Sequence, residues 1–557
     1  MTVILRKVMV LISNSRLFIY RGNIVSILSL LFLIQSCDLE RTPLDQFSDD
    51  KFWVSEDNAM LALTGIYRAN LLFNGTGFAS DWWDYAGLVM LENASDNCYD
   101  RRGMNSDYNR LNNGNLLSNN SIVQSYWKNS YSKIARCNRF LAGIDKLETD
   151  PALVNRFKSE VRFIRATQYF YLSQFYHDVP LVTKVLTRDE ANTVEKNTRK
   201  EIVDFLITEF KETAEGLPRH KDLATTEIGR ATKQASLAFL GRTYLGEQNY
   251  KEAVNVYKQI IDFGDNIIDS DYTSIFTTAN ENSAENIFST QYVQDMTGCG
   301  MPQHFYPRKD GGWAILNPTA ALFEAYQFID GTNFSYDNPL YDPTDLSKNR
   351  DPRLKASIYY DGAIFCGTEF VCHPDKTSPD LITTRNSTVT GFLMRKYFDE
   401  SYSGNLVSYG GNIPIIRYAE ILLSYLESKI ESGEPITQSL LDETINKIRG
   451  RASVNMPPIT ETNPIELRTI VRNERRVELA LEGIRYWDLL RWGIAHEIFK
   501  GDIYGAPFPN SIVTSPNKEG IVDKYGRWFV DSYGFRKPQD YQWPIPQSEQ
   551  DINPNLR

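Results

Sequence analysis

The strongest constraint on the fold is a series of paired segments with the 3.6-residue periodicity of amphipathic helices. In the pair 229–263, small residues such as Ala238 and Gly241 are placed to face large ones such as Tyr257 across a short turn. Small-against-large pairing of consecutive helices is typical of tetratricopeptide-like hairpins, although the full consensus is absent. The sequence therefore predicts a mainly all-α fold built on helical hairpins.

Two blocks of helices and two inserts alternate along the chain. The helical hairpins are predicted at about 121–264 and 415–499, and loop-rich inserts with many Gly, Asn, Asp and Tyr residues at about 74–120 and 265–412. Loops carried on a rigid scaffold are common places for binding sites. The polar, Pro-containing segment 500–557 is expected to pack across the helical body as a C-terminal tail.

The N-terminal residues predict export. Basic residues precede the apolar run 24–34, which is too short to cross a bilayer and has the length of a signal-peptide core. Residues 33–37, LIQSC, resemble the lipobox of bacterial lipoproteins, in which the signal is cut before the cysteine and the cysteine is acylated. The predicted organisation is a signal peptide at 1–36, a tether at 37–54 lipidated on Cys37, and a single domain at 55–557.

Charge and composition exclude several classes of function. The 557-residue chain has 60 Lys and Arg against 70 Asp and Glu, a net charge of −10, and no basic tract, so nucleic acid is not an expected partner. Its six cysteines and five histidines are scattered, without the spacing of a metal site or of a Cys–His nucleophile pair. The sequence has no phosphate-binding loop, complete dinucleotide fingerprint or nucleophile elbow. It predicts no metal and no cofactor.

Two smaller features leave alternatives open. Cys366 and Cys372 enclose a short loop and either form a disulfide in an oxidising compartment or stay as free thiols. Asp337, Asp342 and Asp345 offer carboxylate oxygens of the kind that bind Ca²⁺, but they lack the ordered spacing of an EF-hand loop. A solvated loop is therefore the favoured interpretation of these aspartates.

Several motifs, in order along the chain, resemble the SusD/RagB family of outer-membrane nutrient-binding lipoproteins. The most specific is residues 471–493, VRNERRVELALEGIRYWDLLRWG. The others are EVRFIRA at 160–166, GRATK at 229–233, IRYAEILL at 416–423 and WPIP at 543–546. The resemblance covers essentially the whole chain after Cys37. It implies a SusD-like fold in which tetratricopeptide-like hairpins hold a loop-rich insert.

The resemblance also implies a function. The protein would be anchored by lipid to the outer membrane of a Gram-negative cell, facing the exterior, and would bind oligosaccharides or polysaccharide. It would deliver them to a SusC-like TonB-dependent outer-membrane transporter, without catalysis. A peptide cargo would use aromatic and charged side chains equally well and stays an alternative. A surface glycoside hydrolase and a purely structural helical adaptor are further alternatives.

Glu474, Glu478 and Glu482, spaced at i, i+4 and i+8, bear on the hydrolase alternative. Glycoside hydrolysis needs paired carboxylates. Arg475 and Arg485 are predicted on the same helix face, however, and a neighbouring guanidinium lowers the pKa of a carboxyl group, whereas a general acid needs a raised pKa. We therefore interpret these residues as an ion-pair ladder along one helix, with a structural role.

Aromatic residues in polar, Gly-rich segments are the candidates for ligand contact. Flat aromatic side chains can stack on the apolar faces of sugar rings, and charged or amide groups can bind the hydroxyls. The predicted ligand-binding residues, from the first and central inserts, are Trp82, Trp83, Tyr99, Arg101, Tyr306 and Trp313. We expect Trp83 and Trp313 to converge on one exposed platform, with Tyr99, Arg101 and Tyr306 beside them.

Overall fold

The structure is a computed structural model that describes residues 52–68 and 81–557. The expected signal peptide and the lipidation site at Cys37 lie outside the described residues. The chain divides into two compact units after Ser55, and the following account concerns the second, Glu56–Arg557. Within the described ranges, no helix is both long and apolar enough to cross a membrane.

Helices form most of the regular structure, which confirms the mainly all-α class. From the N-terminal side they are α1 (Glu56–Tyr67), α2 (Tyr85–Leu88), α3 (Ser121–Gly143), α4 (Pro151–Phe175), α5 (Arg188–Ala191), α6 (Arg199–Gly216), α7 (Lys233–Gly246), α8 (Tyr250–Phe263) and α9 (Met301–Phe305). They continue as α10 (Ala320–Ala325), α11 (Pro352–Ser357), α12 (Tyr418–Glu431), α13 (Gln438–Glu443), α14 (Ile445–Arg449), α15 (Pro464–Glu478), α16 (Arg485–Arg491), α17 (Ala495–Ile498) and α18 (Gln547–Ile552).

The strands form two-stranded antiparallel sheets, most of them in the central insert. They are β1 (Cys98–Asp100), β2 (Asn286–Thr290), β3 (Leu316–Pro318), β4 (Ile358–Tyr359), β5 (Ile364–Phe365), β6 (Thr368–Glu369), β7 (Leu393–Met394), β8 (Ile413–Arg417), β9 (Asp502–Pro507) and β10 (Arg527–Ser532). The pairs are β1–β3, β2–β8, β4–β7, β5–β6 and β9–β10. The pairs β1–β3 and β2–β8 join segments that are far apart in the sequence: β1–β3 joins the two inserts to each other, and β2–β8 joins the central insert to the strand that leads into α12.

Side-chain caps set the helix ends. Thr198 and Glu201 form a reciprocal capping box at the start of α6, and the Asn120 side chain accepts two backbone N–H groups at the start of α3. Asp150 caps α4 in the same way. Helix α8 ends at Gly264, whose left-handed φ of 66° favours glycine. These local signals explain why the scaffold helices begin and end close to the predicted positions.

The scaffold helices stack in one continuous series. Helix α3 packs on α4, α4 on α6, α6 on α7 and α7 on α8, as expected for consecutive hairpins. Helix α8 then packs against α12, although the central insert separates the two in sequence, and α12 packs against α15. The chain therefore leaves the helical stack after α8 and returns to it at α12.

The C-terminal tail packs on the scaffold through Trp543. Its side chain is fully buried and stacks on Phe175 of α4, with 4.7 Å between the ring centroids. Its backbone N–H donates to the Phe175 carbonyl at 2.7 Å, and its indole N–H donates to the Tyr486 hydroxyl at 3.2 Å. The WPIP motif is thus a packing element.

The close approach of α7 and α8 depends on Gly241. A Cβ added at this position would lie 2.5 Å from the buried Tyr257 ring. Alanine is about 1 kcal/mol better than glycine inside a helix, but overpacking a tight site costs about 1–3 kcal/mol. We expect Gly241→Ala to lower the free energy of unfolding, measured by denaturant titration.

Gly65→Ala is the matched control, because Gly65 lies in α1 with nothing within 4 Å of an added Cβ. This substitution should be neutral or stabilising. If both variants were equally stabilised, the predicted contact between Gly241 and Tyr257 would not limit the packing.

Candidate functional site

Trp82, which the sequence predicted as a ligand contact, lies in the core and is not accessible to a ligand. It is 1% exposed and stacks on Tyr126 of α3 and Tyr171 of α4, with 3.9 and 4.4 Å between ring centroids. Its indole N–H donates to the Ser130 hydroxyl at 3.0 Å. The physical reason is that the segment before α2 crosses the helical scaffold and fills the space over α3 and α4.

Trp83 is buried as well, at 2% exposed. Its ring packs edge-on against Phe288 of β2 at 5.1 Å, and the Lys133 ammonium lies 4.5 Å from its centroid. Lys133 is itself fully buried. Because these contacts enclose the indole, the predicted exposed platform containing both Trp83 and Trp313 is wrong.

Tyr99 and Tyr306 anchor loops and do not form an exposed surface. Tyr99 is 6% exposed, and its hydroxyl donates to Asp531 at 2.6 Å. Tyr306 is 3% exposed and packs against Phe365 and Phe398, with ring centroids 5.0 and 4.6 Å away. Burial raises the pKa of both tyrosines, so the hydroxyls stay protonated. Their expected exposure beside Trp313 is therefore also wrong.

Trp313 is accessible, with 37% of its surface exposed. It follows a tight turn in which the Gly312 N–H donates to the Pro307 carbonyl at 3.0 Å and Gly311 has a left-handed φ of 83°. The His304 ring lies against the indole, with 4.9 Å between centroids. The turn and this ring contact hold the indole at the protein surface.

Pairing of β1 with β3 brings Arg101 next to the Trp313 turn. The Arg101 N–H donates to the carbonyl of Ile315 at 3.0 Å, two residues after Trp313, and its guanidinium donates to the Asn386 side-chain oxygen at 2.7 Å. The Arg308 guanidinium donates to the Arg385 carbonyl at 2.8 Å. Three distant segments thus meet here, and we define the Trp313 surface as Trp313, Arg101, Arg308, Arg385 and Asn386.

Arg385 and Asn386 could not be predicted as part of this surface from the sequence. They lie in an irregular part of the central insert, and no motif or periodicity connects them with Trp313. One local signal exists, since Asn386 has a left-handed φ of 67° and asparagine tolerates that conformation better than most residues. That signal predicts a turn, but it does not predict what the turn contacts.

The segments around Trp83 and Trp313 are linked below the surface by buried polar groups. The Tyr85 hydroxyl and His304 Nδ1 are 2.6 Å apart, and the Tyr292 hydroxyl donates to Asp84 at 2.7 Å. Asp84 is 2% exposed, and this burial raises its pKa to about 7. The two segments therefore meet as predicted, but they do so in the buried layer beneath Trp313 and not on the surface.

The three glutamates of the 471–493 motif do not form a ladder along one helix. Helix α15 ends at Glu478, and Leu481 and Gly483 have left-handed φ values of 66° and 75°, so Glu482 lies beyond the helix. The arginines of the motif form ion pairs with residues outside this helix. Arg475 pairs with Asp488 at 2.7 Å, and Arg485 pairs with Asp96 at 2.8 Å.

Glu478 is instead the centre of a buried ion cluster. Its carboxylate oxygens lie 3.0, 3.1 and 3.0 Å from the guanidiniums of Arg353, Arg417 and Arg451. Glu482 is held by Arg417 and Lys396, each at 2.6 Å. These cations come from the central insert, from β8 and from the segment after α14, so the cluster joins the insert to the scaffold.

The electrostatics of the cluster support a structural role. Burial by itself raises the pKa of Glu478, but Arg451, Arg417 and Arg353 outweigh it and lower the pKa to about 2. The pKa of Glu482 is lowered too: Arg417 and Lys396 outweigh the opposing effect of burial. A general acid needs a raised pKa and access to its substrate, and these buried glutamates have neither.

We expect Glu478→Gln to lower the free energy of unfolding by about 3 kcal/mol, because it removes one partner from a buried charge cluster. Glu466→Gln, at an exposed glutamate in the first turn of the same helix, is the matched control and should change it by less than about 0.5 kcal/mol. Denaturant titration measures both. Equal effects of the two substitutions would contradict a structural role for the cluster.

The stability difference between wild type and Glu478→Gln should also depend on pH. The folded-state pKa of Glu478 lies below the ordinary value of 4.5 for a glutamate, so its contribution to stability is complete above pH 4.5 and is lost as the pH falls towards about 2. The difference should therefore shrink in acid. A difference that grew as the pH fell would contradict the lowered pKa.

Substitution of Trp83 and of Trp313 should distinguish a packing residue from a ligand-binding residue. Trp83→Ala should lower the free energy of unfolding by about 3–5 kcal/mol, as for other buried tryptophans. Trp313→Ala should change stability by less than about 0.5 kcal/mol but weaken ligand binding roughly tenfold, by loss of one stacking contact. Thermal unfolding and calorimetric titration measure the two effects. A large loss of stability in Trp313→Ala would mean that Trp313 is a packing residue.

The structure also decides between the alternatives for the cysteine pair and for the aspartate-rich loop. Cys366 is an exposed free thiol and Cys372 a buried one, so the two do not form a disulfide. Asp342 accepts the backbone N–H of Thr344 at 2.9 Å, and Asp345 accepts that of Ser347 at 3.1 Å. These aspartates close turns. Over residues 52–68 and 81–557, no group of three or more His, Cys, Asp or Glu side chains is placed to hold a metal ion.

Comparison with known families gives two matches that together span most of the chain. The family model described as "SusD family" matches residues 273–557, which is just over half of the 557 residues. A second family model, described as "Starch-binding associating with outer membrane", matches residues 53–245. The two matched regions contain, respectively, the 471–493 motif and the segment with Trp82 and Trp83.

Similar proteins agree with these matches. A SusD-like carbohydrate-binding protein from Bacteroides fragilis is 49% identical, with a TM-score of 0.86 over 91% of this chain and 100% of that one. A second SusD-like protein from the same species is 26% identical, with a TM-score of 0.76 over 92% and 99%. SusD-like protein P2 from Formosa agariphila is 23% identical over 561 residues, covering 96% of this chain and 98% of that protein.

Proposed function

The chain belongs to the SusD family, and we propose that it is a lipid-anchored outer-membrane protein that binds oligosaccharides or polysaccharide at the Trp313 surface. The observation that carries the proposal is the exposed Trp313 indole, held by a rigid turn beside guanidinium and amide groups. An indole face can stack on a sugar ring while these donors bind its hydroxyl groups. The 49% identical relative described as carbohydrate-binding supports this function.

We further propose that the protein binds without catalysis. The carboxylates of the 471–493 motif are buried and ion-paired, which removes the pair that suggested a hydrolase. Affinity electrophoresis in polysaccharide gels tests both statements. We expect retardation by at least one polysaccharide, lost in Trp313→Ala, and no release of reducing sugar. Binding of peptides alone would favour the peptide-cargo alternative, and turnover would favour a hydrolase.

The lipid anchor is proposed at Cys37, on the lipobox-like residues 33–37. We expect Cys37→Ser to move the protein from the outer-membrane fraction to a soluble fraction, because acyl chains would be its stable attachment to the bilayer. Immunoblotting of fractionated cells measures the shift, with Cys366→Ser as the matched control at an exposed thiol. A Cys37→Ser protein that stays with membranes after salt washing would contradict lipidation as the anchor.

The proposed partner is a SusC-like TonB-dependent transporter in the same membrane. The family description "associating with outer membrane" supports the location, and the partner itself rests on the family resemblance. Affinity purification from gently solubilised membranes should recover a large outer-membrane protein with this chain. Recovery of the chain alone, under conditions that preserve other membrane complexes, would contradict the partnership.

A further inference from the structure

We propose that the glycan bound at the Trp313 surface is anionic, carrying carboxylate or sulfate groups that Arg101, Arg308 and Arg385 recognise. This inference rests on the proposed function and names its substrate class. The three arginines come from different segments: the Arg101 and Arg308 side chains donate to the consecutive residues Asn386 and Arg385, and Arg308 and Arg385 are exposed.

Among the described residues, none of these three arginines forms an ion pair with an acidic side chain, in contrast to the buried arginines of the domain. In the part of the chain that the structure describes, Arg353, Arg417 and Arg451 each make ion pairs with glutamates. None of the ion pairs in the same described part involves Arg101, Arg308 or Arg385; Arg101 and Arg308 donate to an amide oxygen and to a backbone carbonyl instead. Their positive charges therefore remain available to a ligand.

The acidic side chains nearby are already engaged. Asp100 is buried and paired with Arg102 at 2.5 Å, and Asp310 is paired with Lys309 at 2.9 Å. Asp380 is also buried and accepts the backbone N–H of Arg308 at 2.7 Å, so it shapes the turn. These contacts organise the loops around the three arginines without neutralising them through a direct ion pair.

Arg101 is the most constrained of the three. It is half-buried, its Nε is shielded from solvent without a hydrogen-bond acceptor among the described residues, and NH1 makes the one side-chain hydrogen bond that the structure assigns to it. Burial lowers the pKa of Arg101, and the neighbouring Arg102 adds to this effect while Asp100 opposes it. Within the described ranges, no carboxylate forms an ion pair with the Arg101 guanidinium to offset its partial burial. An anion bound at its remaining N–H donors would therefore stabilise the charged form.

The geometry suits a charged sugar. The Arg101 and Arg308 NH1 atoms contact consecutive residues, Asn386 and Arg385, so they lie within roughly 12 Å of each other by covalent reach. Trp313 directly follows the turn that contains Arg308. We expect a sugar stacked on the indole to present its carboxylate or sulfate groups to these guanidiniums, which bind such groups in two-pronged geometry.

The charge of the whole chain makes the test specific. The net charge is −10, so the protein as a whole does not attract polyanions, and retention by one would report a local site. The probes are polygalacturonate and chondroitin sulfate as anionic polymers, methyl-esterified polygalacturonate as the uncharged match, and laminarin and xylan as neutral polymers. Affinity electrophoresis and calorimetric titration on the folded protein give the affinities.

We expect an anionic polymer to bind more tightly than every neutral one, and added salt to weaken that binding. Arg308→Gln and Arg385→Gln should each weaken it about tenfold, as for loss of a charged hydrogen bond, without changing the melting temperature. Arg101→Gln should do the same, with its melting temperature as the check on folding. Arg188→Gln, at an exposed arginine on α5, is the matched control and should leave affinity unchanged.

The outcomes separate this inference from the proposed function. Tight binding of a neutral polymer through Trp313, unaffected by the three Arg→Gln substitutions, would overturn the anionic substrate and leave glycan binding standing. Failure to bind any saccharide, charged or neutral, would contradict the proposed function as well. Binding of an anionic polymer equally well by the Arg→Gln variants and by wild type would place the anion site elsewhere and overturn the assignment of these arginines.

Discussion

The buried ion cluster around Glu478 is the interaction on which the rest of the structure depends. The Glu478 carboxylate forms ion pairs with the guanidinium groups of Arg353 in the central insert, Arg417 in β8 and Arg451 after α14. Burying one of these charges without its partner would cost several kcal/mol of folding free energy. The elements that carry the charges therefore stabilise one another. The cluster therefore couples a loop-rich insert, which has little regular structure of its own, to the stacked helices.

That coupling explains how irregular segments can present a defined surface. Beneath Trp313, the Tyr85–His304 contact, the β1–β3 pair and the turn before Trp313 fix the indole in place. A binding group held by packed neighbours loses little conformational entropy when a ligand arrives, which favours affinity. The buried tyrosines and tryptophans of the inserts thus have a role in recognition, as the support of the Trp313 surface.

Prediction from the sequence succeeded where the signal was periodic or a motif. The helical hairpins and the small-against-large packing of the 229–263 pair, seen at Gly241 and Tyr257, followed from spacing, and the family followed from the resemblance of the motifs. It failed at Trp82 and Trp83, because a segment without periodicity contains no information on which side faces the core. It also assigned the glutamates to one helix, since the sequence did not reveal that α15 ends at Glu478, ahead of the left-handed Leu481.

By itself, the sequence determined the class of fold, the family and the chemical types in the inserts, because helix periodicity, caps and motif residues are local properties. The tertiary structure alone decided which residues meet. It placed Arg385 and Asn386 beside Arg101 and Arg308, buried Trp83 against Lys133 and left Trp313 open. The physical reason is that burial and charge pairing depend on contacts between segments tens to hundreds of residues apart, and no local pattern encodes which of those contacts form.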